Sequence, residues 1–298
     1  MKKFNTQEPL SQRFRVLCLL AVMTVLTACS GIKLAYNQGD TLLYWWLDAY
    51  VDLDSEQAPE VKQDIKELFK WHRQTQLKDY IHILTTAQRQ LAGNPSKADL
   101  DADYREIMSR TELLAQKALP ELTDLALSIK PEQLAHIEKK FEKNNETFRK
   151  KFIRGSVDDL QEKRFKKSME QFDLWFGGFS KEQEVQLRKA SDARPLNNQL
   201  WLDERIRRQQ KIMAVLRKID KDNLGKEAAA PLVQGLVKDM LARPQIPENK
   251  QFLDTYTDGT MQMILTAVRI ATPEQKAHAQ KRMQGWISDF NTLAAETK

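Results

Sequence analysis

Lys130-Pro131-Glu132-Gln133-Leu134-Ala135-His136-Ile137 is the stretch whose reading decides the fold. Proline suits the first turn of a helix, glutamate favours its positive end, and glutamine three residues past the cap closes a capping box. The same phrase recurs as Asp54-Ser55-Glu56-Gln57, Ser180-Lys181-Glu182-Gln183 and Thr272-Pro273-Glu274-Gln275. Lys130 departs from the pattern, since lysine is a poor cap. Residues 131–136 and 273–278 echo each other further, each ending in His with two basic residues beyond it. The intervals are too uneven for a solenoid, so the four phrases are read as separate helix starts.

Between these starts Ala, Leu, Glu, Lys, Gln and Arg dominate, and no stretch alternates with period two. The expectation is an all-α, elongated helical bundle of about ten helices. Helices are placed near 41–53, 59–91 and 97–127, the last kinked at Pro120. Two sub-bundles are expected to meet near 177–180, at Gly177-Gly178. The chain has 298 residues, 41% hydrophobic and 30% charged, which is enough apolar surface for a core and too much for disorder. A mean hydropathy of −0.58 excludes a polytopic membrane protein.

At the N-terminus Lys2, Lys3, Arg13 and Arg15 face one acid, Glu8, and an apolar run follows over 16–27. That run is too short to span a bilayer and suits the core of a secretory signal. It closes on Leu26-Thr27-Ala28-Cys29, the pattern of a bacterial lipoprotein box. We therefore expect 1–28 to be a cleaved signal peptide, 29–40 a lipidated tether and 41–298 an all-helical periplasmic domain. Cys29 would carry covalent diacylglycerol and an N-acyl chain such as palmitate, making membrane lipid the first partner. Ser30 after the cysteine resembles the outer-membrane sorting signal of enteric bacteria. Cys18 leaves with the signal, so neither a disulfide nor a cysteine nucleophile is expected. Four bases and one acid leave with it, taking the net charge from +6 to +3. Nucleic acid is accordingly not expected as a partner, and without a GxxxxGK[ST] loop neither is a nucleotide.

Two resemblances follow from quoted residues. The box at Leu26–Cys29, the run Tyr44-Trp45-Trp46-Leu47-Asp48-Ala49-Tyr50-Val51-Asp52-Leu53 and Trp71-His72-Arg73 resemble an uncharacterised family of helical proteobacterial lipoproteins, classed as a domain of unknown function. The recurring helix start also resembles the Leu-Thr-x-x-Gln motif of Spy/CpxP-type periplasmic chaperones, which implies a holdase for envelope proteins.

Candidate chemistry is sparse. His72, His82, His136 and His278 lack metal-ligand spacing, so no metal or other cofactor is expected. Asp99, Asp101 and Asp103 imitate an EF-hand start, but Tyr104 and Arg110 stand where Gly and Glu belong. Asp48 and Asp52, one turn apart beside aromatics, are the candidates for a peptidoglycan hydrolase. The aromatic helix is expected to pack into the bundle. A second reading lays Trp45 and Trp46 in the membrane interface. Residues 139–167 hold eleven Lys or Arg, with Phe141, Phe148 and Phe152 as a buried stripe. The basic face, centred on Arg149, Lys150, Lys151 and Arg154, suits an anionic glycan, lipopolysaccharide or an acidic protein surface. Arg205, Arg207, Arg208, Lys211, Arg217 and Lys218 form a second basic group. The functional expectation is a non-enzymatic scaffold or assembly protein with an envelope protein partner.

Overall fold

The computed structural model describes residues 31–242 and 247–296. The expected signal peptide, residues 1–28, and Cys29 lie outside them. Among the described residues there are thirteen α-helices and no strand. They are α1 (Gly31–Asn37), α2 (Gly39–Val51), α3 (Gln57–Thr75), α4 (Leu77–Gly93), α5 (Lys97–Lys117), α6 (Leu119–Ser128) and α7 (Pro131–Phe148). After a π-helical turn, Arg149–Ile153, come α8 (Val157–Phe176), α9 (Lys181–Asp192), α10 (Asn198–Lys221), α11 (Lys226–Leu241), α12 (Pro247–Ile270) and α13 (Pro273–Ala295). None is long and apolar enough to cross a membrane.

The count exceeds ten because two expected helices are broken and a further one, α1, lies in the expected tether. The 59–91 helix divides at Gln76, and 97–127 divides at Ala118, just before Pro120. Proline has no N–H and fits a first helical turn better than an interior, so the chain restarts there. The expected tether also differs. From Gly31 it is helical, and α1 packs on α2 and α13. Tyr36 and His72 share a 2.8 Å hydrogen bond, and Lys33 pairs with Glu296 at 2.7 Å.

The four recurring phrases are not independent; they meet in pairs. Gln57 and Gln133 exchange amide hydrogen bonds of 3.1 and 2.7 Å. Gln183 and Gln275 do the same at 2.9 and 3.1 Å. Each Nε2 also donates to the carbonyl five residues before its partner glutamine: Gln57 to Ser128, Gln133 to Asp52, Gln183 to Ile270 and Gln275 to Gly178. Each Oε1 accepts from the backbone N–H of its own helix cap: Asp54, Lys130, Ser180 and Thr272. Every donor and acceptor of the four amides is therefore used, which buried amides require. Lys130, the odd cap, reaches across the first clasp to Asp54 at 2.7 Å. That hydrogen bond, with backbone N–H donors from Gln57 and Glu56, lowers the Asp54 carboxyl to about 2.

These clasps mark an internal duplication. The register carrying Gln57 onto Gln183 carries Tyr50 onto Phe176 and Leu53 onto Phe179. The register carrying Gln133 onto Gln275 carries Ile137 onto Ala279 and Phe141 onto Met283. The first member of each pair sits in one core cluster and the second in another. Repeat A is α2–α7 and repeat B is α8–α13. In both, the first helix packs on the second and the last: α2 on α3 and α7, α8 on α9 and α13. The α5–α6 segment answers α11–α12, with its break in a different place. The middle helices are exchanged: α4 packs on α13, and α10 packs on α7. Likewise α6 meets α11, and α5 meets α12. The turn at Gly177-Gly178 (φ 81° and 102°) answers the one at Asp52 (φ 60°), inside repeat B. At Gly177 a Cβ would stand 3.3 Å from the His278 ring, so glycine serves both the left-handed φ and the close approach.

Candidate functional site

The duplication leaves one open cleft in each repeat. Cleft A, about 330 Å³, lies among α2, α3, α5 and α6. Its walls include Trp46, Val61, Leu68, Leu114 and Leu122. Cleft B, about 420 Å³, lies among α8, the start of α10, and α12. Its walls include Phe172, Leu196, Trp201, Tyr256 and Ile264. Equivalent positions line both: Trp46 answers Phe172, Leu114 answers Tyr256, and Leu122 answers Ile264. Both volumes fall in the ordinary small-molecule range of about 300–1,000 Å³.

Their charges are opposite. Cleft A carries Glu60, Asp64, Glu121 and Asp124. Burial pushes the Asp64 carboxyl up, and Glu121, Glu60 and Asp124 add to the shift. Glu121 has an enclosed Oε2 with no hydrogen bond, while Asp124 pairs with Lys226 at 2.7 Å. At the register positions of these four acids, repeat B has Gln186, Ala190, Met263 and Thr266, none charged.

Cleft B carries Lys163, Arg164, Lys167 and Arg194. Arg194 is 5% exposed and stands where repeat A has Leu68. Its Nη2 donates to Ser168 Oγ and Ser191 Oγ at 3.1 and 2.8 Å, and its Nε donates to the Ser191 carbonyl. The guanidinium lies 5.6 Å from the Tyr256 ring centroid. Arg164 donates to the carbonyls of Ser191, Arg194 and Pro195, which cap the negative end of α9. Its Nε is enclosed and makes no hydrogen bond. Burial disfavours the charged form of both guanidinia, and the Arg194 cation lowers Arg164 further. No carboxylate forms a salt bridge with either, among the described residues. Asp192, the nearest acid by its field, is held instead by Arg188 at 2.6 Å.

The residues expected at a site are dispersed. Trp45 and Trp46 are 61% and 58% exposed, so the aromatic helix is only half in the core. Leu47, Tyr50 and Val51 pack inward on the other side. Asp48 accepts a 3.0 Å hydrogen bond from the Leu53 N–H, which closes the turn after α2. Asp52 is 76% exposed, and neither cleft includes either aspartate. Trp71-His72-Arg73 is where α1 docks: His72 binds Tyr36, and Arg73 reaches Asn37 at 3.0 Å and Glu296 at 3.4 Å. Burial lowers the His72 pKa and raises Tyr36 to about 12.

The basic run divides. Arg149, Lys150 and Arg154 gather around Glu146, at 3.6, 3.7 and 3.3 Å. Lys151 belongs to the π-helical turn with Arg149 and Lys150, and Arg154 follows it. That turn adds a residue per hydrogen-bonded ring and breaks the expected stripe: Phe152 is exposed and becomes part of the wall of cleft B. Most of the second basic group is paired within the fold: Arg207 and Arg208 on buried Glu204, Lys211 on Asp239, Arg217 on Glu138 and Lys218 on Asp222, while Arg205 lies over the Phe148 ring. Asp99 closes a capping box with Ser96, Asp101 pairs with Lys97, and Asp103 accepts from Gln90. Arg194 and Glu121 escaped the sequence reading, since each stands alone in its stretch of chain.

Residues 49–232 match the model of a protein family described as a family of unknown function, DUF6279. The matched span contains the end of the aromatic run and Trp71-His72-Arg73, and it crosses from repeat A into repeat B. No curated protein and no solved structure matches the chain.

Proposed function

As this chain belongs to the DUF6279 family, whose activity is unknown, we propose a role drawn from its geometry: a lipid-anchored envelope protein that binds partners without transforming them. In this reading Cys29 holds it on the periplasmic side of the outer membrane. The observation that carries the proposal is the pair of open, apolar-walled clefts of opposite charge on one interlocked scaffold. Enzymes converge polar groups on a reacting atom. Here the acids and the bases are kept in separate clefts, each on an apolar wall, which suits holding an amphipathic partner. The exposed Leu34, Leu42, Trp45 and Trp46 lie on the two helices that follow Cys29, a composition suited to a lipid surface.

The test is crosslinking of the intact lipoprotein in living cells, compared with Cys29→Ala protein secreted in soluble form. One dominant envelope protein, lost without the lipid, is the expected result. No enriched partner from either form would sink the proposal. A second reading, a holdase for unfolded envelope proteins, is favoured by the two apolar walls. Many unfolded clients, retained without the lipid, would select it. For the aromatic face, tryptophan fluorescence of the soluble form should shift to the blue on adding vesicles, and this shift should vanish in a Trp45→Ala, Trp46→Ala variant.

A further inference from the structure

Cleft B combines features that a purely structural cavity does not need. A buried guanidinium costs several kcal/mol of desolvation unless an anion faces it. Repeat B places buried Arg194 beside half-buried Arg164, and among the described residues no carboxylate forms a salt bridge with either, Asp192 being held by Arg188. Arg194 Nη1 makes no hydrogen bond among the described residues, and the side chain lines the cleft. Lys163 and Lys167 add positive charge at the exposed rim. Opposite the cations the wall is apolar, built by Phe152, Phe172, Leu196, Trp201 and Ile264. Repeat A has leucine at the position of Arg194, so the fold itself does not require an arginine there.

We propose that cleft B is a binding site for one molecule of an anionic amphiphile. A carboxylate or phosphate headgroup lies on Arg194 and Arg164, with an alkyl chain along the Trp201–Ile264 wall. Charge complementarity selects the headgroup, since guanidinium donors match both oxyanions. The apolar wall selects the chain. This goes beyond the scaffold reading above, because it names a ligand class and a location. It also survives if no protein partner exists.

The experiment is titration calorimetry on the full mature chain carrying Cys29→Ala, without detergent. The probes are dodecanoate, dodecyl phosphate, dodecanol and inorganic phosphate, all below their aggregation concentrations. Saturable one-to-one binding is expected for dodecanoate, dodecyl phosphate or both. Whichever binds tighter names the headgroup. Dodecanol and inorganic phosphate should each bind at least about tenfold more weakly, the loss expected when a charge-assisted hydrogen bond or the chain is missing. Arg194→Gln should weaken binding about tenfold or more. Because Arg194 also holds Ser191, Ile264→Trp is the second variant. It fills the cleft from a partly exposed wall position and should abolish binding with the thermal midpoint kept. Lys226→Gln, beside cleft A, should change nothing. Equal binding of dodecanol and both anions, full affinity in Ile264→Trp, or no binding of either anion would overturn the proposal.

Discussion

Clefts A and B are built on equivalent helices, yet Glu60, Asp64, Glu121 and Asp124 in one stand where Gln186, Ala190, Met263 and Thr266 stand in the other. In the opposite sense, Leu68 in repeat A becomes Arg194 in repeat B. The two clasps, the turns before them and the core register are kept. What a duplicated scaffold must conserve is the satisfaction of buried amides and the packing beneath them. What it is free to change is the lining of the cavity. The sign of the charge in each cleft is set by few residues.

The comparison can be broken most sharply at the core. Leu187 is fully buried beneath repeat B, and its register partner Val61 faces cleft A. Leu187→Ala should cost about 3 kcal/mol in urea unfolding. Val61→Ala should cost about half as much, having fewer methyl groups to lose. Equal losses would mean that the register is misassigned. The clasps come next. Gln133→Ala strips Gln57 of its reciprocal partner in a buried pair and should cost about 2 kcal/mol, while Gln275→Ala, at the more open clasp, should cost about 1 kcal/mol. If neither shifted the unfolding midpoint, the clasps would not be holding the repeats.

Charge gives a smaller effect with a definite sign. Asp64 is raised by burial and by its neighbouring acids, so its ionisation opposes folding, and stability falls as pH rises through its native pKa. Asp64→Asn should therefore stabilise at pH 7 by a few tenths of a kcal/mol, allowing for its exposure to solvent. That gain should vanish as pH drops through the carboxylate range. Asp54 pulls the other way. Its lowered pKa lends stability above the ordinary carboxylate value, and this is lost as pH falls through about 2. Unfolding of the two variants as a function of pH, with Lys130→Ala in place of an Asp54 change, separates them by sign. Smallest of all, Trp45→Ala should change stability by under about 0.5 kcal/mol, as expected for an exposed position. Phe172→Ala, at the repeat-B counterpart of Trp46, should cost about 3 kcal/mol in the same assay.

Much of this was legible in the sequence. The all-helical class, most helix boundaries and the recurring phrase were there to read. The pairing of the phrases was not, because capping chemistry is local, while Gln57 and Gln133 are brought together by chain folding. The unequal lengths within each pair concealed the duplication, although the echo around His136 and His278 was its trace. Those histidines also correspond in space: each faces a carbonyl of the helix before its clasp, Ala49 and Trp175. The candidate site was less legible. Local density of charge pointed to Arg149–Arg154, where Glu146 gathers the cations. Arg194 is solitary along the chain, and only packing brings it beside Arg164. Likewise the π-helical turn that delivers Phe152 to the cleft has no signature in hydrophobic spacing.

The exchange of middle helices bears on synthesis. A chain emerging from its N-terminus completes α7 long before α10, which packs on it, has been made. Likewise α4 must wait for α13, the last helix of the described chain. Contacts so distant along the chain are slow to form. The first half therefore travels as an unfinished body, its apolar faces open until the second half arrives. Such a layout ties completion of either half to the other, and it makes the finished fold an all-or-nothing event.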